Sequence, residues 1–146
     1  MAYKSLHHFI NKLEEQNELI RISAFVDPVL EIAEITDRMS KQPNGGKALL
    51  FENTGTSFPV LTNALGSINR ICLALGVSGL DDVGSDINKL FAELAGPKTN
   101  IWEKLGTIPT LGKLSAWLPA QISSRGACQE VVHAEPNINL LPVMQC

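Results

Sequence analysis

The sequence predicts an α/β domain, a mixed β-sheet flanked by helices, and three observations carry that expectation. Apolar runs of strand length sit at residues 19–22, 48–52 and 59–62. Around them, apolar residues recur at the 3.6-residue spacing of amphipathic helices. Glycine, proline and asparagine punctuate the boundaries between the two kinds of segment.

Each element has a local reason. Leu6, Phe9, Ile10 and Leu13 fall at i, i+3, i+4 and i+7, so residues 5–16 should form a helix that Asn17 stops. Leu19-Ile20-Arg21-Ile22 alternates partially, as in a strand with one wetter face. Asp27-Pro28 reads as an N-cap followed by proline at the first helical position, where its missing N–H costs nothing. Val29, Ile32, Ile35 and Met39 then make the apolar stripe of a second helix. Glu31, Glu34 and Asp37 take its other face, with Glu34 and Arg38 at ion-pair spacing. Pro43-Asn44-Gly45-Gly46 ends it.

Ala48-Leu49-Leu50-Phe51-Glu52 suits a buried strand, and Pro59-Val60-Leu61-Thr62 a second one, with proline tolerated at its start. Ser67 should cap a third helix bearing Ile68, Ile71, Cys72 and Leu75. A fourth should run over residues 81–95 with Val83, Ile87, Leu90, Phe91 and Leu94 inward. Gly84 weakens its first turns, allowing a start at Ser85. Gly96-Pro97 should end it. Asn100-Ile101-Trp102-Glu103 resembles a further helix start, residues 111–117 a short helix, and residues 128–133 a fourth strand.

Composition narrows the function. At 146 residues with 45% apolar and 18% charged side chains, the chain can build a real core. A net charge of −3 with no basic run excludes a phosphate-tracking surface, so nucleic acid is not an expected partner. No apolar run approaches the ~20 residues of a membrane span, and no secretory signal opens the chain. Cys72, Cys128 and Cys146 are odd in number and widely separated, which fits a reducing, cytoplasmic setting. Asp81, Asp82 and Asp86 are read as complements to a helix dipole rather than as a cation site.

The tests for chemistry fail one after another. Gly45-Gly46-Lys47 is no phosphate loop: Lys41 stands where the first glycine belongs, and Ala48 stands where Ser or Thr should. His7 and His8 read as surface residues. His133 with Cys128 lacks a second pair for zinc. Glu31 and Glu34 read as a solvated face, Ser123 and Ser124 lack a histidine base, and Trp102 and Trp117 read as core or interface. No catalytic, cofactor-binding or metal-binding residue is assigned in this chain.

One resemblance covers nearly all of it. Leu19-Ile20-Arg21-Ile22, Asp27-Pro28, Glu31-Ile32-Ala33-Glu34-Ile35 and Arg38 open the pattern. Ala48-Leu49-Leu50-Phe51-Glu52-Asn53, Pro59-Val60-Leu61-Thr62-Asn63, Gly66 and Arg70 continue it. Arg125-Gly126, Cys128-Gln129 and Leu141-Pro142-Val143-Met144-Gln145-Cys146 close it, while residues 76–123 match only in their pattern of helices. In this order and spacing, the chain resembles the amino-terminal domain of the UbiD family of decarboxylases, relatives of 3-octaprenyl-4-hydroxybenzoate carboxy-lyase in quinone biosynthesis.

The resemblance implies an amino-terminal α/β domain, here residues 1–146, followed in the parent by a split-barrel domain and a carboxy-terminal oligomerisation domain. The barrel would hold prenylated FMN, a divalent metal such as manganese and often potassium. A Glu–Arg–Glu set there would handle the proton and the substrate carboxylate, with the flavin as electron sink. All of those residues would lie beyond the position matching Cys146, so this chain alone is expected to be inactive. The apolar ending suggests a piece of a longer polypeptide, a homo-oligomer when whole, whose other domains are its partners. Leu140, Leu141, Val143 and Met144, together with Trp117, are the expected docking residues. The alternative is a stand-alone binding module that partners a separately encoded barrel.

Overall fold

The structure, a computed structural model, describes residues 3–95, 112, 119, 121 and 123–146. By its internal contacts the chain divides into two compact units, Met1–Leu80 with Pro136–Cys146, and Asp81–Glu135.

The first unit carries the sheet. Its elements are α1 (Leu6–Glu15), β1 (Leu19–Phe25), α2 (Glu31–Ser40), β2 (Ala48–Asn53), β3 (Val60–Thr62) and α3 (Ile68–Leu75). The strand order is β1-β2-β3. β1 runs parallel to β2, with Leu19 opposite Ala48 and Ile22 opposite Phe51, and an irregularity between Ile22 and Phe25. β3 runs antiparallel to β2, with Leu50 opposite Leu61. The sheet is therefore mixed, the α/β arrangement expected.

β2 shows why these residues choose this fold. Its side chains alternate between faces, and both faces are buried. Ala48 and Leu50 join Phe9, Ile10 and Leu13 of α1 and Leu19 of β1, with Tyr3, Leu61, Leu73 and Ala74 against them. Leu49 and Phe51 join Val26 and Ile32, with Ile35 and Met39 of α2 against them. A strand covered on both faces needs a continuous apolar run, and 48–51 is one.

The helix ends follow local chemistry. Ser5 Oγ accepts from His8 N at 3.2 Å and caps α1, and Ser67 Oγ accepts from Arg70 N at 3.2 Å and caps α3. At the other end of α3, Gly76 takes φ 70°. Its N–H bonds to Leu73 O and that of Val77 to Cys72 O, closing the helix in a Schellman turn. Asn17, at φ 56°, ends the approach from α1 to β1.

Two expectations are corrected within this unit. The second helix starts at Glu31, not at Pro28, and Val29 lies outside it and is exposed. Pro28 O accepts from Gln145 N instead of from the helix, and Leu30 takes φ 71° just ahead of it. On α3, Ile68 and Leu75 are exposed while Cys72 is buried, because only the middle of the stripe faces the core.

The second unit contains α4 (Leu80–Ala95 at its full extent), which starts ahead of Gly84, with Asp81 and Asp82 in its first turn. Val83 and Leu90 are half-buried, but Ile87 and Phe91 are exposed rather than inward. Periodicity says which residues share a face and not whether anything covers it. Residues 128–133 are no strand: Ala127–Gln129 is a single 3-10 turn, and Val131 and Val132 are exposed. Alternation describes side chains, whereas a strand exists by pairing its N–H and C=O groups with a neighbour. Residues 96–111 and 113–118, with the expected helix stop at Gly96-Pro97, the start at Asn100, the helix at 111–117 and Trp117, lie outside the described residues.

Candidate functional site

Two arrangements in the first unit go beyond core packing. One is a polar clamp around Arg70. α3 brings Arg70 beneath the loop that joins α2 to β2, where its side chain is wholly buried. Nη1 donates to Glu18 Oε2 at 2.7 Å and to Gly46 O at 2.6 Å, and Nη2 donates to Gly45 O at 3.2 Å. Asn63 Nδ2 donates to Gly45 O at 2.8 Å and to Lys47 O at 2.9 Å. Three successive carbonyls thus face inward onto two side chains. Arg70 Nε is the one buried side-chain polar atom left without a partner among the described residues.

The backbone required for this is unusual. Asn44, Gly45 and Gly46 all have positive φ, at 58°, 79° and 57°. A Cβ at Gly45 would overlap the Gly66 carbonyl oxygen, and one at Gly46 the Met39 carbonyl oxygen. Glycine is therefore needed twice, for left-handed backbone and for close approach. Beside the clamp lies an open cleft of about 740 Å³, lined by Glu18, Gln42, Asn44, Lys47, Ser67 and Asn69 among others. Within the clamp the Arg70 guanidinium is matched to the Glu18 carboxyl at 2.7 Å.

The other arrangement is the return of the chain at its carboxy-terminal end. Asn137 Oδ1 accepts from Asn139 N and caps the turn Ile138–Leu140. Gln145 then lies beside Val29 as a parallel bridge. Gln145 N donates to Pro28 O and Leu30 N donates to Gln145 O, both at 3.1 Å. This seat holds Leu140, Leu141, Val143 and Met144 with about half of each side chain open, at 56%, 52%, 51% and 46%. Val29 and Leu30 are exposed beside the bridge.

The other candidates do not converge. Glu34 Oε1 accepts from Arg38 Nε at 2.7 Å on the surface, while Glu31 Oε2 accepts from Asp27 N at 2.8 Å. His7, His8, Ser123, Ser124, Cys128 and His133 are exposed. Among the described residues no group of three or more His, Cys, Asp or Glu could hold a metal ion. Exposed Arg21 on β1 bonds Glu14 through Nε and Nη2 and Glu52 through Nη1, all within 2.9 Å. Its hydrogen bonds hold the Glu14 carboxyl below the usual range and push the guanidinium further up. No helix among the described residues is long and apolar enough to cross a membrane.

Reading residues alone overlooked the clamp. Its signals were a double glycine before a buried strand and an arginine among apolar residues of a short helix. Neither signal names the other as its partner.

The first unit is an α/β arrangement with α1 and α2 packed on opposite faces of the sheet and a guanidinium clamp inside it. Its family is shown by comparison. The family model of the 3-octaprenyl-4-hydroxybenzoate carboxy-lyase N-terminal domain matches residues 10–87, and the chain belongs to that family. It is 43% identical over 145 residues to an uncharacterized protein of Aquifex aeolicus, an alignment covering 99% of this chain and 29% of that protein. The vanillic acid decarboxylase of Sedimentibacter hydroxybenzoicus, in its open form, aligns over 61% of this chain and 20% of that one, with 29% identity and a TM-score of 0.54. The UbiD-class enzyme HmfF from Pelotomaculum thermopropionicum, solved with prFMN, aligns over 65% of this chain and 21% of that one, with 32% identity and a TM-score of 0.48. The chain thus spans less than a third of the length of these relatives.

Proposed function

We propose that this chain is the non-catalytic amino-terminal scaffold of a UbiD-like decarboxylase. The reaction is loss of carbon dioxide from an aromatic or α,β-unsaturated carboxylic acid, such as a polyprenyl-4-hydroxybenzoate, with prenylated FMN and a divalent metal held by the remaining domains. The observation that carries this reading is the family match over residues 10–87 in a chain that aligns with only 29% of its Aquifex relative. Acid–base, flavin and metal groups then belong to the part of the protein that this alignment leaves uncovered. Leu140, Leu141, Val143 and Met144 form the docking edge towards those domains, and Trp117 joins them in this reading. Exposed apolar residues grouped on one short segment are what an interface core requires. A cytoplasmic enzyme, oligomeric when whole, fits the same reading.

The test is complementation. The purified chain is mixed with the complementary part of the Aquifex relative, reconstituted with prenylated FMN and manganese, and assayed for carbon dioxide release from a panel of aromatic and unsaturated acids. Turnover by the mixture and none by either piece is the expected result. Turnover by this chain alone, or its binding of prenylated FMN at micromolar affinity, would overturn the proposal.

A further inference from the structure

We infer that residues 28–30 are a two-state element, whose non-helical state is selected by the seating of Gln145. The inference stands on bonds within the first unit and does not need the docking role proposed above.

A helix start is half-built here. Asp27 Oδ1 accepts from Val29 N at 2.8 Å, the bond of an N-cap to the second helical residue. Glu31 Oε2 also reaches back to Asp27 N, four residues earlier. Pro28 has the fixed φ of a first helical residue. With regular bonding, Pro28 O would accept from Ile32 N, four residues on. Instead Pro28 O accepts from Gln145 N, and Ile32 N reaches Asp27 O at 3.2 Å, five residues back.

Leu30 absorbs the mismatch. It sits at φ 71°, ψ −40°, and Glu31 N donates to Val29 O at 2.9 Å across it. That is a γ-turn of the rare, positive-φ kind. Leucine, unlike glycine, bears a Cβ that resists this conformation. The strain persists because the surroundings over-determine it, and two of the hydrogen bonds around the turn run to one residue, Gln145. When Gln145 leaves, Pro28 O becomes free for Ile32 N, Leu30 relaxes to right-handed backbone, and α2 extends to Pro28. The carboxy-terminal segment and the first turn of α2 therefore compete for the same backbone groups. Any force that lifts residues 141–145 is read out at the other end as helix.

Two variants of the whole chain test this by NMR. Gln145→Pro removes the N–H that Pro28 O receives. Cα and carbonyl shifts of residues 28–30 should move to helical values. Leu30→Gly accepts positive φ and weakens the competing helix, so exchange of the Gln145 amide should slow about tenfold. Residues 28–30 keeping their turn shifts in Gln145→Pro would overturn the inference, because the loop alone would then build the turn. Unchanged or faster Gln145 exchange in Leu30→Gly would overturn it independently, even if the proline variant failed to fold.

Discussion

Arg70 exchanges water for two backbone carbonyls and one carboxylate, all at hydrogen-bond distance. A buried pair adds little over a well-packed apolar substitute, but removing one partner strands the other. Arg70→Met should therefore lower stability by about 3–5 kcal/mol in urea unfolding, since Glu18 and the Gly46 carbonyl lose their Arg70 donor and Gly45 O keeps only Asn63. Arg70→Lys should recover only part of this, because a point charge cannot span the fork. Gly45→Ala should cost about 2 kcal/mol or more through the same loop, by overlap and by positive φ together. Asn63→Ala should cost about 1–3 kcal/mol, leaving Lys47 O without its side-chain donor. Gly66 and Arg70 belong to the recognisable pattern of the sequence, yet their role was not legible there. A clamp joins residues 52 positions apart, as Arg70 and Glu18 are, and no local rule reports such a pairing.

β2 organises the elements. Phe51 is fully buried among α2 residues on one face, and Leu50 among α1 residues on the other. Phe51→Ala should cost about 3–5 kcal/mol by thermal or urea unfolding. On the α1 side of the sheet, exposed Arg21 bridges Glu14 of α1 and Glu52 of β2. The sign of its pH dependence follows from Glu14, whose carboxyl is held below its usual range chiefly by the hydrogen bond from Arg21. Stability from a depressed carboxylate is present above the ordinary carboxylate pKa and is lost as pH falls through the lowered one. The destabilisation in Arg21→Gln should accordingly shrink towards zero below that range, and urea midpoints measured across pH 2 to 7, roughly the carboxylate window, check it. Elements with strong local signals were readable in the chain: α1 by spacing, α3 by the Ser67 cap and spacing, β2 by an uninterrupted apolar run. Residues 128–133 misled because alternation is cheap to satisfy and a pairing partner is not.

For the whole molecule, the apolar edge at 140–144 is where stability and association should separate. Leu141→Asp and Met144→Asp alter half-exposed side chains, so stability should change by no more than about 0.5 kcal/mol. Complementation with the rest of a UbiD-like enzyme should weaken at least tenfold, about 1.4 kcal/mol, in a binding titration. Loss of fold in these variants would place the segment in the core and remove it as an interface. Equal binding would remove it as the docking edge.

The order of residues along the chain was enough for an α/β unit, for β1, β2 and β3 and the Ser67 cap, and for kinship with UbiD decarboxylases. Those features depend on neighbours within a few positions, or on a spaced pattern that can be matched as text. Two matters rested on the folded chain instead: that Arg70 closes onto Glu18 and the double glycine, and that α2 begins at Glu31 although Asp27-Pro28 invites an earlier start. Both hinge on backbone carbonyls meeting donors from distant segments. Carbonyls are common to every residue, so nothing in the alphabet of side chains says which donor each one will meet.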